Sequence, residues 1–175
     1  MSRTIANVFD QLLLDKLSAA VVRCLLDDAS LYEWTSGRIK KATGRVDNSI
    51  FEVTPAIYVN TNVVSPRNMP GGKERNSVTV IMLVVWEEFE ITLSDVDEPT
   101  ISSVLQVMKR KLRSSPHFQA YSDGEGRLVE RVAAIRVADI DGGKVGDDGD
   151  KNVMIMSVEM DVIVDAKIAD QEFMT

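Results

Sequence analysis

Five aspartates in the last third of the chain, Asp139, Asp141, Asp147, Asp148 and Asp150, are the residues whose type and crowding most invite chemistry. Clustered carboxylates can hold a divalent cation, but a calcium loop places its oxygen ligands at alternate positions and closes on an acidic residue about twelve positions along. Here Gly142-Gly143-Lys144-Val145 interrupts the series without a ligand, and a solvated turn between two strands accounts for the same residues. A small metal-assisted enzyme working through Asp139–Asp150 is the competing reading. Pro70-Gly71-Gly72-Lys73 has the glycines of a phosphate loop but not their spacing, and Glu74 follows the lysine where such a loop has a hydroxyl. Glu87, Glu88 and Glu90 offer carboxylate pairs, yet a charged strand end explains them without a pocket. The single cysteine, Cys24, falls at a helical core spacing far from the single histidine, His117, and no serine sits in a Gly-x-Ser-x-Gly elbow. These observations predict no catalytic residue, no metal and no cofactor.

Composition narrows the class further. A chain of 175 residues, 45% hydrophobic and 27% charged, is long enough for one buried core, and no boundary divides it, so 1–175 is expected to be a single domain. Residues 1–4 and 167–175 are expected to be flexible. No apolar run approaches the roughly 20 residues needed to span a bilayer, and Asp10, Asp15 and Lys16 break the N-terminal pattern that a secretory signal requires. The expectation is a protein of the cytoplasm with no membrane partner. A formal charge of -7 argues against gripping nucleic acid, which needs clustered Lys and Arg, although an acidic passage would let DNA slide by.

The elements read as follows. Apolar residues from Ile5 through Val8, Leu12, Leu13, Leu17, Val21, Cys24 and Leu25 predict an amphipathic helix capped by Thr4, with an interruption near Asp15 left open. Leu31, Tyr32 and Trp34 form either its last turn or a connector. Short extended segments over 50–53 and 55–60 lead to a loop, 65–73, whose two prolines and Gly-Gly pair are expected to stop a strand. A long strand over 75–93 has both faces apolar, with Val78, Val80, Met82, Val84 and Trp86 on one side and Thr79, Ile81, Leu83 and Val85 on the other, which predicts a central position. A second helix, from about Pro99 to Arg113, opens on acidic residues and ends on basic ones, as its dipole favours. Strands over 128–140 and 152–165 are expected to form an antiparallel hairpin joined by a loop over 141–151. Met154, Met156 and Met160 share one face of the last strand, suiting either core or subunit interface. The fold class is α+β: a mixed, mainly antiparallel sheet flanked by an N-terminal helix and a second helix, with a long loop or hairpin arm.

In this order of elements the chain resembles the tail terminator (tail-completion) proteins of long-tailed bacteriophages. The resemblance runs over residues 5–165. It is carried by Pro55-Ala56-Ile57-Tyr58-Val59, the long strand Val78-Thr79-Val80-Ile81-Met82-Leu83-Val84-Val85 and the helix opened by Glu98-Pro99-Thr100. It implies a homo-oligomer, typically a hexameric ring, that caps the tail tube, meets tube and neck proteins and leaves a channel through which DNA passes without specific binding. It also implies a place in the virion at the tail-neck junction, with assembly in the host cytoplasm. Nothing catalytic transfers. The arm over 60–75 is expected to reach a neighbour, with Arg67, Asn68, Met69, Lys73 and Arg75 as contact residues. A neck or head-completion protein, a tail-tube subunit and a peptide-binding module are the alternatives.

Overall fold

A computed structural model describes residues 5–42, 53–87, 100–112, 118–119, 121, 129, 131–145 and 151–165. Helix α1 (Ile5–Leu26) runs without a break at Asp15, whose carboxylate faces outward and pairs with Lys41 at 3.3 Å. Leu13, Leu17, Ala20, Val21, Cys24 and Leu25 are its buried stripe. The segment after it is neither a last turn nor a plain connector but a helix of its own, α2 (Ala29–Thr35). Asp28 caps its start by accepting from the Leu31 N–H at 3.0 Å. Ser36 and Gly37, both at positive φ, end it, with the Gly37 N–H returning to the Tyr32 carbonyl at 2.9 Å. Helix α3 (Ile101–Leu112) carries Lys109, Arg110 and Lys111 in its last turn.

Five strands, β1 (Ile39–Lys41), β2 (Ala56–Met69), β3 (Lys73–Glu87), β4 (Arg131–Val145) and β5 (Lys151–Asp165), make one sheet in the order β1-β2-β3-β5-β4. The β1–β2 pair is parallel and the others antiparallel, so the sheet is mixed and mainly antiparallel, with β3 and β5 inside it. Burial alternates along β3 as period two demands: Asn76, Val78, Val80, Met82, Val84 and Trp86 are buried. Register sets Met82 between Val59 and Met156, and Val78 beside Met160. These rows join Leu17, Val21, Leu31, Met108 and Phe118 in a single core cluster, so Met156 and Met160 are core residues and Met154 packs against its margin. Burying each such side chain contributes about 1.5–3 kcal/mol.

Two expectations about loops are corrected. The segment 65–73 does not stop the strand: β2 continues through Pro66 to Met69, and only Pro70, Gly71 and Gly72 turn. Proline is tolerated because β1 pairs only with Ile57–Val59, so the outer side of β2 near Pro66 borders no described strand and its missing N–H breaks no ladder there. A register shift between Val63 and Ser65 absorbs the irregularity. Likewise, residues 141–145 are not loop but the end of β4, where Gly142 and Gly143 pair with Met154 and Val153 along the sheet margin. The short β1 has no counterpart among the elements expected from the sequence. Thr4, residues 43–52 and 88–99, His117 and the tail from 166 lie outside the described residues.

Candidate interaction surface

The two faces of the sheet differ. Helices α1, α2 and α3 all contribute to the core cluster on the Val78–Met82–Met156 side. Val85, Val153 and Ile163 are buried but stand outside that cluster, on the second face. Register lines this face in rows: Tyr58 beside Leu83 beside Ile155, then Asn60 beside Ile81 beside Ser157, then Thr79 beside Glu159 beside Arg136. Ile155 is 40% exposed, and Tyr58, Ile81 and Leu83 are half-buried. The apolar rows therefore grade into a charged belt nearer the hairpin turn.

That belt is built from pairs across strands. Arg75 donates to Asp161 at 2.6 Å, Ser77 donates to the other oxygen of the same carboxylate at 2.9 Å, and Arg136 meets Glu159 at 3.2 Å. Burial tends to raise the Asp161 carboxyl pKa, but the hydrogen bonds from Arg75 and Ser77 outweigh it and hold the group below the usual carboxylate range. At the opposite end, Lys151 pairs with Glu87. Regular alternation of Ile155, Ser157, Glu159, Asp161 and Ile163 was the sequence signal for this face, but the partners of Asp161 required the register.

The five predicted contact residues come together in the hairpin. Arg67 is opposite Arg75, Asn68 opposite Glu74, and Met69 closes the turn opposite Lys73. Met69 and Lys73 are half-buried, Arg75 is exposed, and Pro70, Gly71 and Gly72 are exposed at the tip. Gly71 and Gly72 adopt φ of +82° and +72°, where a side chain would be strained.

The acidic cluster is divided. Asp139 and Asp141 belong to β4, opposite Ser157 and Ile155, whereas Asp147, Asp148 and Asp150 lie outside the described residues. Among the described residues, no three His, Cys, Asp or Glu side chains converge as metal ligands. Of the three glutamates, Glu87 is the one described, paired as above. Cys24 is fully buried beside the Lys111 carbonyl, 3.7 Å from its sulfur, and burial pushes its thiol up to about 11. Nearby, the Tyr121 hydroxyl donates to Asp27 at 2.7 Å, which raises the phenol to about 12, and Lys111 lies 3.7 Å from Asp28. The Cys24 contact ties α1 to the end of α3, and the Lys111–Asp28 pair ties α3 to the start of α2. No described helix is long and apolar enough to cross a membrane.

No protein-family model matches the chain, and no curated protein matches it. Among solved structures it is similar to a chain in the virion of a native gene transfer agent (GTA) particle, with a TM-score of 0.48 and 13% identity over 93% of this chain and 99% of that one. A likeness of that size carries no argument about function.

Proposed function

We propose that this chain is a structural subunit of a phage-type virion, resembling a tail terminator, that closes into a ring with copies of itself, the hexamer the resemblance implies, at the junction of tail tube and neck. The reading is supported first by the unequal faces of the sheet. Helices α1, α2 and α3 pack on one face, while the other carries partly exposed Ile81, Leu83 and Ile155, with Val85, Val153 and Ile163 buried, beside a belt of paired charges. Apolar surface bordered by charge suits contact with protein, the charges setting register more than affinity. The hairpin tip, with Arg67, Asn68, Met69, Lys73 and Arg75, is the second contact in this reading. A ring needs two different patches on each subunit, because a head-to-tail contact closes only when its rotation does. DNA passes through the lumen without being held, in keeping with a formal charge of -7.

Native mass spectrometry and negative-stain imaging of the purified chain, across concentration and salt, test the reading. A closed ring of one size is expected, alone or on addition of tail-tube protein. Ile155→Glu is expected to weaken the ring at least tenfold while leaving the subunit folded, since this side chain is already 40% exposed. Stacking into open-ended tubes would favour the tube-subunit alternative. A monomer under every condition, with tube protein present, would sink the proposal.

A further inference from the structure

We infer that the patch formed by the end of α2 and the start of β1 docks an acidic segment of a second copy of this chain, an occupant that rests on the assembly proposed above. Arg38, one residue ahead of β1, is held by two backbone acceptors: its Nε donates to the Pro55 carbonyl at 3.0 Å and its Nη2 to the Thr54 carbonyl at 3.1 Å. Lys40 stands two positions on, hence on the same side of an extended chain, and is exposed. Lys41 turns the other way, to Asp15. Among the described residues no carboxylate bridges Arg38 or Lys40, the exposed Glu33 on α2 included.

Apolar surface adjoins these cations. The Tyr32 ring lies against Gly37, the neighbour of Arg38, and is 54% exposed. Val53 precedes the Thr54 carbonyl that Arg38 holds, and is 55% exposed. Both are more open to solvent than Ile155 on the second face of the sheet. Tyrosine and arginine commonly carry the binding energy of protein interfaces, and a guanidinium already fixed by two carbonyls loses little freedom when a carboxylate arrives. The occupant therefore brings carboxylates beside an apolar side chain. A second copy has the charge for this, with 27 acidic residues against 20 basic ones. A phosphate backbone offers the same sign, but the formal charge of -7 opposes its approach. A cationic patch that meets acidic surface is also a contact between unlike patches, the kind a closed ring requires.

Sedimentation velocity of the whole chain across concentration and salt is the test. Lys40→Glu and Tyr32→Ala alter exposed side chains, so circular dichroism should be unchanged while each weakens self-association about tenfold. Added salt should weaken the unaltered chain more than Lys40→Glu. Carbodiimide crosslinking of a mixture of light and heavy isotope-labelled chains is expected to join Lys40 to an Asp or Glu of the other copy. Self-association that either variant leaves unchanged, or the absence of Lys40 from every crosslink between copies, overturns the docking while the ring stands. Duplex DNA that binds the unaltered chain and not Lys40→Glu gives the patch to phosphate and overturns it too. Open oligomers that need both Lys40 and Tyr32 uphold the contact and remove only the ring. A chain that stays monomeric under every condition, tube protein included, removes the proposed function and this occupant together.

Discussion

Thr61 is the residue through which helix and sheet are most directly tied, since one hydroxyl serves both Leu14 and Ser18 inside the protein. Thr61→Val keeps shape and strand preference but leaves the buried Ser18 hydroxyl without this partner. We expect a loss of about 1–2 kcal/mol, read as a lower denaturant midpoint with an unchanged slope. Gly37→Ala places a Cβ 3.2 Å from the Tyr32 ring at a φ of +74°, and about 1–2 kcal/mol of destabilisation is expected from the backbone alone. Asp161 has a sign that can be worked out. Its folded pKa lies below the unfolded value, so its contribution is complete above the ordinary carboxylate range and disappears as pH falls through the folded pKa. Thermal unfolding of Asp161→Asn should therefore fall less steeply than the parent between about pH 5 and pH 2. Cys24 was readable from spacing alone as a small core residue. With its thiol at about 11, roughly one molecule in ten thousand carries a thiolate at pH 7, and alkylation should wait for unfolding.

Helices α1 and α3 and the two central strands were legible because their signals are periodic and local, whereas the seven-residue α2 was too short to show a period. α3 shows the basic last turn expected of it, and β3 and β5 show the alternation that puts Val78, Met82, Met156 and Met160 in one layer. What could not be read was tertiary in origin. Two prolines and a Gly-Gly pair look like a loop until β2 is known to lie at the margin of the sheet there, where a proline costs no ladder bond. Gly142 and Gly143 mislead in the same way, being held in β4 by pairing with Met154 and Val153. β1 is only three residues long, and no window of sequence distinguishes it from a connector; Arg38 fixes its approach by donating to the carbonyls of Thr54 and Pro55. The five residues proposed as contacts bracket one turn. Their cross-strand pairing, Arg67 with Arg75 above all, depends on a bulge that sequence does not announce.

For the molecule as a whole, the proposed ring is a matter of surfaces, and the sequence speaks to it through the resemblance in element order and through the charge balance. The order β1-β2-β3-β5-β4 carries a further consequence, for the ribosome. β3 has one neighbour directly before it in the chain, but its other neighbour is β5, so residues as distant as Arg75 and Asp161 must meet before the middle of the sheet exists. Closing so wide a loop is entropically costly and slow. β5 leaves the exit tunnel after both of its neighbours and pairs with each of them, so a nascent chain halted before Lys151 should leave β3 without its β5 partner and sensitive to protease. Release of the fifteen-residue β5 is then the step that joins β3 to β4 in one sheet.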